Sequence, residues 1–179
     1  MNTIGIAKFE KVSFEQWKND FLSGDFKETY ARFPESELKK MYDAIKLPER
    51  STSGSAGYDF HMPMPMIDIP VNSCATIPTG IRCKMDNGWV LKIYPRSGHG
   101  FKYGVHLANT VGIIDADYYG ADNEGHIHVK LVNDGLLKKK IELFQGDAFC
   151  QGVFEPFGIT VDDKASAKRT GGFGSTDKK

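Results

Sequence analysis

Cysteine is scarce in this 179-residue chain: Cys74, Cys83 and Cys150 are the only three. They are odd in number and none stands in a C-x-x-C spacing. That argues against a disulfide framework or a zinc site and fits a reducing compartment. An excess of charge of one sign is also missing. Lys+Arg and Asp+Glu each count 23, so the formal net charge is zero. A general nucleic-acid or membrane-surface binder needs cationic excess to neutralise phosphates, so both are disfavoured. One small phosphorylated ligand needs only a few cations and stays open. No run is apolar enough to span a bilayer, and "MNTIGIAKFEKV" lacks the core of a signal peptide. A cytoplasmic protein is expected. The G-x-x-x-x-G-K-[ST] phosphate loop occurs nowhere, and no internal repeat is visible.

What is present suits one globular domain over residues 1–179: 40% of residues are hydrophobic and 26% charged. Residues 13–47 read as a short helical hairpin. Ser13 and Gln16 form an S-x-x-Q capping box, and Phe14, Trp17, Phe21 and Leu22 recur on one helical face. Leu38, Met41, Tyr42 and Ile45 repeat the pattern after Pro34, and Pro48 is expected to stop it. From about residue 56 short β-rich runs follow one another between Gly, Pro, Asn and Asp. They include "MIDIPV", "GWVLKIYP", "GHIHVKLV" and "AFCQGVF". Such spacing, with no helices between the runs, predicts an all-β sandwich, jelly roll or barrel. Residues 158–179 lack periodicity and read as a C-terminal arm.

Four stretches carry candidate chemistry. In "YPRSGHG" a strand leads into a turn presenting Arg96, Ser97 and Gly98, a guanidinium fork, a hydroxyl and an approachable backbone for phosphate oxygens. In "ANTVGIIDADYYG", Asp115 follows Val111, Ile113 and Ile114 where a buried strand ends, a place suited to a base that orients water. Asp117 is an equal candidate there, and a turn held by two Asp side chains is the plain alternative. His126 and His128 in "HIHV" share one strand face, but no third metal ligand stands at a useful spacing. In the closing "RTGGFGSTDKK", backbone N–H groups can cup an anion, Arg169, Ser175 and Thr176 can pair with it, and Phe173 can lie across a flat ring. A disordered Gly/Ser linker is the alternative.

In order, "GSAGYDF", "PRSGHG", "NTVGIIDADYYG", "GDAFCQGVF" and "RTGGFGSTD" resemble the five motifs of the trimeric deoxyuridine triphosphatases (dUTPases). The resemblance covers roughly residues 48–179, with "IAKFEKV" included. It implies a jelly-roll-like β-barrel and a homotrimer whose sites are shared between subunits. The arm would close over a neighbour's site as a lid. By the same resemblance Arg96, Ser97 and Gly98 hold the phosphates, with Gln151 helping. Asn109 and the backbone of Gly112, Ile113 and Ile114 read uracil, and the backbone at His128 completes that reading. Tyr118 lies under the deoxyribose, Asp115 activates the attacking water, and Asp59 has a supporting or water-mediated metal role. Arg169, Phe173, Gly174 and Ser175 belong to the lid, with Phe173 on the uracil. The implied reaction is Mg²⁺-dependent hydrolysis of dUTP to dUMP and pyrophosphate. No direct protein ligand for the metal is implied, because Mg²⁺ is held by substrate phosphates.

Three departures from that pattern stand out. Lys168 occupies the place of the usual arginine and Arg169 lies one residue nearer, so either can meet the γ-phosphate. Tyr119 replaces a more usual Arg, and "ADNEG" lengthens the next turn. The helices of 13–47 lie outside the minimal pattern. They are expected to cap the barrel, with docking of a protein partner as the alternative. Two rival functions follow. One is a dCTP deaminase of the same fold, which needs a glutamate where Lys130 stands in "VKLVN". The other is a trimeric nucleotide-binding regulatory protein acting through the helical insertion.

Overall fold

The computed structural model describes residues 5–167 together with Arg169 and Gly171. Its strands form where every second residue can be buried. In β3 (Met66–Ile69) and β10 (Ile141–Phe144), Ile67, Ile69, Ile141 and Leu143 face inward while their neighbours face water. The antiparallel register sets Ile67 opposite Leu143 and Ile69 opposite Ile141, so both pairs close onto one core.

The remaining strands are β1 (Ala7–Lys11), β2 (Tyr58–His61), β4 (Ser73–Pro78), β5 (Ile81–Met85), β6 (Trp89–Pro95), β7 (Val105–Leu107), β8 (Gly112–Ile114), β9 (His128–Asn133) and β11 (Ala148–Pro156). They build a jelly-roll-like all-β fold from antiparallel sheets ordered β2-β11-β6-β8, β4-β9-β7, β1-β5 and β10-β3. Phe60, Ile77, Leu91, Ile93, Ile127 and Phe149 fill the space between the layers.

Three helices rather than a hairpin precede β2: α1 (Phe14–Ser23), α2 (Lys27–Tyr30) and α3 (Glu35–Asp43). α2, a single turn, is too short to show a period. α3 stops at Asp43, before Pro48 is reached. The capping box forms by half. Ser13 Oγ accepts from the Gln16 backbone N–H at 3.1 Å, but the Ser13 N–H and hydroxyl both donate to Glu124, at 2.7 and 2.6 Å. Glu124 lies in the lengthened "ADNEG" turn, so that turn caps the helix that the sequence places 111 residues away.

Trp17 and Phe21 are fully buried in the barrel's own core cluster, with rings stacked 4.8 Å apart. Asp25 accepts the backbone N–H of Thr76 at 2.7 Å, covering the edge of β4 not paired with β9. Gly80 lies beneath α1 with φ +75, and a Cβ there would meet Ile45 Cδ1 at 2.5 Å. Glycine meets both the left-handed backbone and the close approach there.

A fourth helix, α4 (Ser97–Tyr103), follows β6 directly, so "PRSGHG" is not a simple turn. Two glycines in seven residues hide it from any periodicity.

Candidate active site

Two clefts gather most of the residues singled out by motif. The first, about 180 Å³, is lined by Asn109, Gly112, Ile113, Ile114 and His128, with Ile93 from β6 and Lys130 from β9. The second, about 430 Å³, joins Arg96, Ser97, Gln151 and Asp59. Gln151 and Asp59 are register partners of β11 and β2. Arg96 Nε stands 3.5 Å from Asp59 Oδ1, and Ser51 Oγ donates to Asp59 Oδ2 at 2.9 Å. Gln151 Nε2 donates to the Pro95 carbonyl at 3.1 Å, tying β11 to the start of α4. Gly98 lies one residue into α4 and lines neither cleft.

The two clefts border consecutive residues of one strand. Ile93 borders the first and Tyr94, the next residue of β6, borders the second. Neighbouring residues of a strand point to opposite sides of its sheet. Gln151, opposite Tyr94 in the register, shares the second cleft's face. No residue is common to both clefts.

Asp115 stands at the N-cap of the 3₁₀ turn Ala116–Gly120 that follows β8, its backbone carbonyl accepting from the Tyr118 N–H while its side chain makes no capping bond. β8 was expected to be buried, yet Ile113 is 55% exposed and the Asp115 side chain 52%. The carboxylate is instead gripped by the arm. Arg169 Nη1 lies 2.8 Å from Asp115 Oδ2 and 3.2 Å from Asp117 Oδ1, with its guanidinium 5.0 Å from the Tyr118 ring centre. Burial works against that guanidinium's charge, but hydrogen bonds to the two aspartates outweigh it and raise its pKa. Arg169 Nε is sealed from solvent with no hydrogen-bond partner among the described residues, leaving one donor unused. Phe173, Gly174 and Ser175, like Lys168, lie outside the described residues.

Tyr118 is held from below. Its hydroxyl donates to the His126 carbonyl at 2.8 Å and accepts from Asn123 Nδ2 at 2.8 Å, while burial pushes its pKa up. Tyr119, the departure from the usual arginine, has a partner in β1. Its hydroxyl donates to Glu10 at 2.7 Å, and Arg82 lies 4.5 Å over its ring. That hydrogen bond, then those from Lys8 and the nearby cations, pull the Glu10 carboxyl down to about 2.

The histidines bring a correction. A third group, a carboxylate, does join His126 and His128: Asp20 of α1, 106 residues before His126. Sequence spacing could not show it, because packing of the insertion supplies it.

With this geometry in view, likeness to known proteins is informative. A family model described as dUTPase matches residues 43–177. The deoxyuridine 5'-triphosphate nucleotidohydrolase of Lactococcus lactis subsp. lactis is 42% identical over 135 residues, 74% of this chain and 88% of that protein. The crystal structure of a dUTPase from Streptococcus mutans shares 37% identity and a TM-score of 0.57, covering 64% of this chain and 88% of its own. The dUTPase of phage phi11 of S. aureus, described with a structural Mg(II) ion, matches in fold at TM-score 0.57 and 19% identity. It covers 70% of this chain and 92% of its own. All three helices of the insertion begin before the matched span. By the family model and by its relatives, the chain belongs to the dUTPase family.

Proposed function

We propose that the chain hydrolyses dUTP to dUMP and pyrophosphate in sites shared between copies of a homotrimer. The observation that carries the shared site is the opposed faces of Ile93 and Tyr94. Uracil fits the first cleft, where the Asn109 amide and the backbone of Gly112–Ile114 and His128 face the base. Polar groups set for uracil's N3–H and O4 are left unpaired by cytosine, which selects the base. The triphosphate fits the second cleft of a neighbouring copy, held by Arg96, Ser97 and Gln151. The Tyr118 ring supports the deoxyribose and leaves no room for a 2′-hydroxyl.

Asp115 takes a proton from water. The resulting hydroxide oxygen bonds to the α-phosphorus, the α–β bridging P–O bond breaks, and pyrophosphate carries away the electron pair. Arg169 exchanges its carboxylate partners for phosphate oxygens as the arm, with Phe173, Gly174 and Ser175, closes over the bound nucleotide.

The donor set suits Mg²⁺ bound through substrate. Asp59 is the carboxylate lining the second cleft, and it is already engaged by Arg96 and Ser51. It supports a water-mediated contact rather than a cage. When bound, the ion neutralises charge on the phosphates as pyrophosphate leaves.

Lys130 at the rim of the first cleft speaks against the deaminase. An ammonium cannot take the proton of an attacking water as a carboxylate does. Nucleotide profiling with Mg²⁺ tests the reading. Pyrophosphate released from dUTP, and not from dCTP, dTTP or UTP, supports it; ammonia released from dCTP overturns it.

A further inference from the structure

Asp20, His126 and His128 form a three-membered cluster between the inserted helix α1 and the barrel. Asp20 Oδ2 is 2.6 Å from His126 Nδ1 and 3.2 Å from His128 Nε2, and the two ring nitrogens are 3.1 Å apart. Three ligand atoms so close invite a metal reading, and one hydrogen bond speaks against it. Gly80 donates its backbone N–H to His126 Nε2 at 2.8 Å. A neutral imidazole that accepts at Nε2 carries its proton on Nδ1. That nitrogen therefore donates to Asp20 and has no lone pair for a metal. Metal-bound histidines show the opposite pattern, with the outer nitrogen donating to an acceptor.

Electrostatics agree with this proton arrangement. Burial opposes ionisation of Asp20, but hydrogen bonds from His126, His128 and Gln16 outweigh it and hold its carboxyl well below the usual range. Burial also lowers the pKa of His126 and outweighs the pull of Asp20 the other way. The cluster is an anion accepting from a neutral, fully buried histidine.

Both histidines lead to the nucleotide site. The His126 carbonyl accepts from the Tyr118 hydroxyl, and His128 lines the first cleft. One carboxylate on the insertion thus holds, through two short paths, the sugar platform and the base pocket. We propose that Asp20 is a positioning residue for dUTP, through which the inserted helix fixes Tyr118 and the backbone at His128 for recognition of base and sugar. This rests on the reading that the first cleft takes uracil.

Steady-state hydrolysis of dUTP by the full-length trimer tests it. Asp20→Ala is expected to raise KM roughly tenfold with kcat within about twofold, and to narrow the preference for dUTP over UTP. Asp20→Glu is expected to recover part of the loss. Asp25→Asn, in the same insertion but bonded among the described residues to the β4 edge alone, should lower the melting temperature and keep the parent KM. If Asp20→Ala matches the parent in KM and selectivity, or if Asp25→Asn shifts KM equally, the inference is overturned.

Should Asp20→Ala fail to fold, His128→Ala decides. It is expected to raise KM similarly, with His128→Gln restoring it through an amide that donates to Asp20; a parent-like KM for His128→Ala rejects the role. Zinc bound at the three residues in a zinc titration contradicts it as well. Hydrolysis that survives Asp115→Asn strikes at the underlying mechanism and not at Asp20 alone.

Discussion

Arg169 Nη1 rests 2.8 Å from Asp115 Oδ2, so the arm's cation sits on the carboxylate assigned to water activation. In the proposed mechanism, substrate draws this arginine onto phosphate as Asp115 takes its proton. Arg169→Ala should therefore raise KM for dUTP by about tenfold, the scale of one lost charge-assisted hydrogen bond. Arg169→Lys should recover only part of it, lacking the planar fork. Unchanged KM in the alanine variant would assign the γ-phosphate to Lys168.

The insertion is part of the core. Trp17 and Phe21 are buried with the barrel's own residues, so Trp17→Ala is expected to cost about 3–5 kcal/mol, the usual range for an emptied aromatic site. Chemical denaturation measures this. A loss below about 1 kcal/mol would mean that the helices only rest on the surface.

Acid should loosen the insertion in a defined window. His126 is neutral and buried, with its folded pKa lowered. Between that value and the unfolded histidine value of about 6.5, the unfolded chain binds the extra proton. Stability is therefore fully present above about pH 6.5 and falls as the pH drops below it. Asp20, also lowered, adds a second loss below about pH 4, where the unfolded carboxyl takes its proton. Melting curves should shift down by roughly 2–4 °C per pH unit below 6.5. A flat profile from pH 7.5 to 5.5 would show that His126 is not held neutral.

The strands were legible wherever one face is buried, as the alternation of β3 and β10 shows. The helix face of Trp17 and Phe21 was equally plain. One ordered motif, "NTVGIIDADYYG", holds Asn109, Gly112, Ile113 and Ile114 of the first cleft, because they lie on β8 and the loop before it. Partnerships made by packing were beyond reach. Neither Asp20 with His126, nor Glu124 with Ser13, nor Tyr119 with Glu10 leaves any periodic trace, since each joins elements far apart in the chain. α4 was missed because "SGHGFKY" has no apolar stripe and two poor helix formers.

The shared site is tested most directly by mixing two inactive variants. Asp115→Asn removes the proposed base beside the first cleft, and Arg96→Ala removes the phosphate contact of the second. Each alone should retain little dUTP hydrolysis. If one copy supplies Asp115 and a neighbour supplies Arg96, co-refolded trimers in equal proportion regain intact sites. About one site in four then holds both native residues, giving roughly a quarter of the parent activity. Mixed trimers that release pyrophosphate no faster than either variant alone would contradict a site built between copies.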